Sequence, residues 1–406
     1  MVRLFWYSVL ALIVFAACSS GKTAYRRGHY AEAVGKASVR LKQPRGWGRR
    51  GHDLAAEVVQ RAFVAGYNQH QSAIRRLSSD GQRPYRWEAV FTEYETLQKM
   101  TTAARNTLTA NRLPISLTLT NWLVDYPADY TDRLTETRQL AAAERYALAE
   151  AAFQHRKADR MAAREAYEQY QQALRWVPNY QQATQRSLEA FADAVLRVLI
   201  EPPLPTRDLS PDDNQAFGHS LFASLVRHTV PATYVHLYQP DQVEVAADGT
   251  YRLFDGYPIH ETVQVVVDGY RPYDEQFSHV SRTIESANEY KVGEKRINDS
   301  TVVDIMEKIK GTVTLHTHHV EARLSMRLRA LDAQTDQLLW TDTDYVTSDW
   351  TGQWETFSGD PRALDSYTLR TLIGMPPSPS QLLSGLLSSA GGSVVGTLRK
   401  QYRKRG

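Results

Sequence analysis

Residues Gly311–Ser348 read GTVTLHTHHVEARLSMRLRALDAQTDQLLWTDTDYVTS. Val313, Leu315 and Thr317, and later Leu324, Met326, Leu328 and Ala330, alternate with polar residues, the period of a strand with two different faces. DAQTDQ, at 332–337, carries turn chemistry. The stretch therefore predicts two long antiparallel strands joined at that turn. The same stretch holds three histidines. On a strand His316 and His318 share one face and His319 takes the other. An H-x-H pair permits zinc ligation, and a catalytic zinc needs a third protein ligand, for which His260, His279 and Glu321 are candidates. The other reading is a polar hairpin face on which His alternates with Thr.

Outward from this stretch the C-terminal half reads as α+β. Val195–Ile200 is a β-type run, followed by a proline-rich connection. SPDDNQAFGHSLFASL opens a helix, with Ser210 as N-cap, Pro211 in its first turn, and Asp212 and Asp213 at the positive end of its dipole. ATYVHLY (232–238) and HETVQVVVDGYRPY (260–273) read as strands. SDWTGQWETFSGDPRAL (348–364) reads as a loop packed by its tryptophans, with carbohydrate contact as its sharper alternative. From Thr371 to Leu398 no residue is charged, and Leu383, Leu387, Val394 and Leu398 share a helical side ahead of a basic tail.

The N-terminal half is rich in Ala, Glu, Gln, Arg and Leu, with apolar residues at helical spacing. YRRGHYAEAVGKASVRL (25–41) and AAREAYEQYQQALRWVPNYQQA (162–183) resemble parts of tetratricopeptide repeats. Ala166, Tyr170 and Ala173 fall in the second helix of the motif and Pro178 at its terminating proline. The resemblance implies a groove for a partner protein, with Tyr167, Tyr170 and Trp176 as candidate contact or core aromatics.

The first residues, MVRLFWYSVLALIVFAACSS, place Arg3 before an apolar run too short for the roughly 20 residues of a membrane-spanning helix. FAAC resembles the lipobox of bacterial lipoproteins. The resemblance implies cleavage after residue 17 and lipid on Cys18, the only cysteine in the chain. No Asp and no acidic cluster follows it, which by the same resemblance implies the periplasmic face of the outer membrane. A lipidated Cys18 leaves no thiol for a disulfide, a nucleophile or a metal.

Two wider resemblances follow. MRLRALDAQTDQLLWTD (326–342) is similar to a hairpin of the curli-secretion and penicillin-binding-protein-activator lipoproteins, with Asp336 where Gly is usual. The lipobox, RWEAVFTEYETL, AREAYEQYQQALRWVPNY, IEPPLPTRDLS and SDWTGQWETFSGDPRAL together resemble an envelope lipoprotein family of the Bacteroidetes. That likeness implies architecture and address, and no mechanism.

The 406 residues, 42% apolar with formal charge +3, suit a globular multidomain chain without a large single-sign field. No nucleophile elbow, P-loop or dinucleotide fingerprint occurs in the sequence. The expected organisation is a signal peptide at 1–17, a helical tetratricopeptide-like domain at 18–194, an α+β domain at 195–370, and an amphipathic helix with basic tail at 371–406. The expected role is a lipid-anchored, non-enzymatic scaffold or adaptor in the envelope. It would bind a protein partner, with no cofactor and no nucleic acid. The alternatives are a curli-type, self-associating secretion component and a metal-dependent hydrolase using His316 and His318.

Overall fold

The structure is a computed structural model that describes residues 20–43, 49–110, 122–247, 249–298, 300–371 and 374–405. Cys18 and the lipobox lie outside the described residues. The chain divides into two compact units, Met1–Ala194 and Val195–Gly406.

The first unit is helical: α1 (Lys22–Arg26), α2 (Tyr30–Lys42), α3 (Arg49–Ser79), α4 (Arg86–Ala110), α5 (Thr131–Phe153), α6 (Arg160–Trp176) and α7 (Ala183–Ala194). Small residues let the helices close. Ala33 and Ala37 of α2 pack with Phe63 of α3 and Met100 of α4. Ala149, Ala166, Ala183 and Ala190 do the same around Tyr170 further along. Asp159 caps α6 by accepting the Met161 N–H at 2.8 Å. Asn179 and Tyr180, expected from the sequence to start the next helix, precede it, and α7 begins at Ala183. Asn179 and Gln181 take left-handed φ angles of 58° and 44°, so the chain turns twice before it coils.

The second unit is a five-stranded mixed sheet of order β2-β1-β5-β6-β7, with a separate β3-β4 pair. The strands are β1 (Leu196–Ile200), β2 (Val235–Tyr238), β3 (Val243–Val245), β4 (Tyr251–Leu253), β5 (Glu261–Asn298), β6 (Thr301–Asp332) and β7 (Leu338–Gly359). β1 runs parallel to β2 and β5, while β5, β6 and β7 are successively antiparallel. Helices α8 (Pro211–Leu225) and α9 (Pro379–Arg403) cover one face. Ser210 and Ser378 cap them, each accepting an N–H three residues on, with proline in the first turn. Phe217, Leu221, Leu386, Val394 and Leu398 meet Ala322, Leu324, Met326, Leu328 and Ala330 in one core. Between β6 and β7, Asp332 Oδ1 accepts the N–H groups of Gln334 and Thr335, and Asp336 takes φ 55°.

Two readings are corrected. Residues 348–359 form the outer half of β7, not a loop, and their tryptophans lie on a sheet face. The strand beginning near His260 does not end at Tyr273 but continues to Asn298. Among the described residues, no helix is long and apolar enough to cross a membrane.

Candidate interaction surface

β5 and β6, of 38 and 32 residues, are far longer than ordinary strands. At about 3.3 Å per residue β5 reaches up to ~125 Å, several times the width of a small domain. It is not straight, because five register shifts bulge the β5–β6 ladder, from Val267/Gly269 to Arg296/Asn298.

Only the inner part belongs to the sheet. β1 pairs with β5 at Glu261–Val263, and Leu204 bridges Val266. Beyond that point no described strand lines the outer edge of β5. β7 follows β6 as far as the Gly311–Gly359 pair. From there to the tip β5 and β6 form a two-stranded ribbon. Most of its side chains are exposed, including Val292, Val302, Val303, Met306 and Ile297, the last 64% exposed, while Ser286 and Ile309 near the base are buried. A two-stranded ribbon is marginal alone in water, and open edges are templates for pairing.

The ribbon is tied down at its base by residues 360–370, on the face opposite the helices. Asp360 caps a short 3-10 turn, Pro361–Leu364, and Ala363 is buried there. Asp365 accepts the N–H groups of Ala287 (2.8 Å) and Asn288 (2.9 Å), which the bulge between Glu285 and Glu289 turns outward. Those two N–H groups hold its carboxyl below the usual range. Glu355 accepts the Arg370 N–H at 3.0 Å and the Tyr367 hydroxyl at 2.7 Å, and is lowered for the same reason, the backbone bond first. Val313, fully buried, packs on this side, whereas Leu324 and its alternating neighbours pack under the helices.

The histidines lie between these regions. His316 stacks on Trp354 at 5.1 Å and shares a 2.8 Å hydrogen bond with Thr356 Oγ1. His318, only 7% exposed, stacks on Phe277 at 4.2 Å and meets the edge of Trp350. Its Nε2 is 2.7 Å from Glu275 Oε1, without forming a hydrogen bond to it. His319, on the other face, pairs with Thr351. His279 is 6.4 Å from His316 across the ladder, and His260 accepts the Arg197 N–H elsewhere. Among the described residues, no three His, Cys, Asp or Glu side chains are placed to hold one metal ion.

The three aromatic candidates of the helical unit do not share a surface. Tyr170 is fully buried against Tyr146 and Phe153, and its hydroxyl donates to Glu150 at 2.5 Å. Burial first, and that carboxylate next, push its phenol well up. Of the two readings, contact or core, its burial is that of a core residue. Tyr167 tilts against Phe191. Trp176 packs on Phe91 and donates Nε1–H to Glu88 at 3.0 Å.

Sequence reading missed the ribbon. Period two is blurred there by bulges and by Lys, Glu and Arg on both faces, and the local cue in the sequence is the turn-forming run N-D-S at 298–300.

No protein-family model matches the chain, and no curated protein matches it. Among solved structures it is similar to a Helicobacter pylori protein described as a neuraminyllactose-binding hemagglutinin homolog. Identity is 11%, over 52% of this chain and 84% of that one, with a TM-score of 0.24. A score that low carries no argument about fold or activity.

Proposed function

We propose that this chain is a non-enzymatic, lipid-anchored envelope scaffold that holds a protein partner, and that the β5–β6 ribbon is its contact surface. The observation that carries the reading is the pair of strand edges that no described strand lines, on a ribbon covered only at its base, by residues 360–370. A strand added to such an edge gains main-chain hydrogen bonds, and pockets between alternate side chains supply selectivity. The anchor is Cys18, by its lipobox, and the address is the periplasmic face of the outer membrane. The helical unit is read as tetratricopeptide-like. Ala33, Ala37, Ala166 and Ala173, all fully buried, support this. The 31 residues of α3 and 25 of α4 are longer than two helices of a 34-residue repeat allow, so on this reading the unit is irregular.

A photo-crosslinking residue at Ile297 or Val303, in cells, tests the reading against one at exposed Leu188 of α7. A recurrent envelope protein linked from the ribbon supports it. Links from Leu188 with none from the ribbon overturn it. A ladder of self-links supports the second reading, a curli-type homo-oligomer. That reading has its own observation: the open edges of β5 and β6 lie on opposite sides of one ribbon, so one copy can pair head-to-tail with the next. Labelled palmitate incorporated by wild type and lost in Cys18→Ser tests the anchor.

A further inference from the structure

On the sheet face opposite the helices, the β5–β6 register sets Arg271 directly across from Arg323. Like charges placed directly opposite on adjacent strands repel and destabilise the pair. Among the described residues neither guanidinium has a carboxylate within 4.0 Å. The nearby Asp268 is taken, since Arg327 Nη2 donates to its Oδ2 at 2.6 Å. The acidic row one step outward, Asp274–Glu321–Asp349, makes no ion pair with them.

Three further features surround the pair. Register shifts at Val267/Gly269 and Arg271/Asp274 open the backbone on both sides of Arg271. A cavity of about 610 Å³ lies there, lined by both arginines, Gly269, Tyr270, Ser325, Asp208 and the Arg327-paired Asp268. Arg323 lies with its Cζ 4.0 Å from the centroid of the Tyr345 ring, and its Nε is buried without a hydrogen-bond partner. The aromatic shelf fixes the guanidinium plane and leaves its in-plane donors for an acceptor. Arg323 is half-buried and Arg271 exposed, so the Nε–H is the donor shut away from solvent, and a buried N–H without an acceptor is costly.

We infer that the Arg271–Arg323 cavity binds a tetrahedral oxyanion of phosphate type, free or carried as a phosphodiester headgroup. Two forks from adjacent strands need more acceptor oxygens than one planar carboxylate presents, and a tetrahedral group has them. With Asp268 paired to Arg327, Asp208 offsets one of the two positive charges and leaves one, which matches a singly charged phosphodiester or dihydrogen phosphate.

The test is calorimetric titration of inorganic phosphate into the full chain at low ionic strength. Acetate is the control anion, and Arg271→Gln, Arg323→Gln and Arg323→Lys are the variants. The expected result is saturable one-to-one binding, weakened about tenfold or more by each Gln variant and clearly weakened by Lys, which keeps charge but loses the fork. Sedimentation with phosphatidylglycerol vesicles, against phosphatidylcholine, separates the sources. Vesicle binding lost in the variants assigns a lipid headgroup, and phosphate binding alone assigns a free ligand. No saturable phosphate binding, binding unchanged in both Gln variants, or acetate bound as tightly overturns the proposal. Arg271→Gln should unfold at or above the wild-type temperature in phosphate-free buffer, since it relieves repulsion. A clearly lower temperature makes the pair structural and overturns the proposal.

Discussion

The Tyr402 hydroxyl donates a 2.8 Å hydrogen bond to Glu261, joining the last turn of α9 to the first residue of β5. Both residues are buried, and Arg405 adds two bonds to the same carboxylate. Burial and the adjacent carboxylate push the Tyr402 phenol far up, so it stays a donor at any ordinary pH. Removing the hydroxyl leaves a buried carboxylate short of a donor. Tyr402→Phe should cost roughly 1–3 kcal/mol in urea unfolding of the full chain. A cost under about 0.5 kcal/mol would mean that Arg405 alone satisfies Glu261.

Gly391 and Gly392 are adjacent in α9 and should respond oppositely to alanine. A Cβ on Gly391 would sit 2.4 Å from the Ser220 carbonyl, backbone of α8 that cannot swing aside. A Cβ on Gly392 meets nothing within 4 Å. Alanine gains up to ~1 kcal/mol of helix propensity at either site. At Gly391 the clash wins, for a net loss of about 1–3 kcal/mol. Gly392→Ala should stabilise by a few tenths to ~1 kcal/mol. Thermal unfolding of the two variants side by side checks both signs.

The Asp365 clamp on the ribbon base should open in acid. Its folded-state carboxyl sits below its ordinary 3.8. The folded state then binds fewer protons than the unfolded state as that group titrates. Its contribution is complete above about pH 5 and is lost as pH falls through ~4 and below. Hydrogen exchange at residues 286–290, corrected for intrinsic rate, should show protection at pH 7 that is weakened at pH 2. Asp365→Asn should lack much of it already at pH 7. Equal protection of wild type at both values would show that the carboxylate is not the clamp.

Tyr170 separates a core role from a contact role. Tyr170→Phe keeps the ring and loses the Glu150 bond, for about 1–2 kcal/mol, and Tyr170→Ala should cost about 3–5 kcal/mol. If Tyr170→Ala left unfolding unchanged and abolished partner capture, the ring would be a contact residue.

Sequence alone determined what is encoded within a few residues. The start of α8 was legible because Ser210, Pro211 and the two aspartates are local capping chemistry, read without any partner. A helical part followed by an α+β part was legible because apolar periods of 3.6 and 2 differ. The alternation in β6 even changes parity between Val313 and Leu324, and that change carries meaning. One is covered by residues 360–370 and the other by α8 and α9, on opposite faces. Tertiary structure alone decided the rest. The ribbon is a pairing between distant segments, each polar on both faces, so neither announces itself as a strand. Arg271 and Arg323 become neighbours only through a register that two bulges displace. Tyr170 became core, and His316 and His318 became stacking residues, because burial belongs to what packs against a side chain and not to the side chain itself.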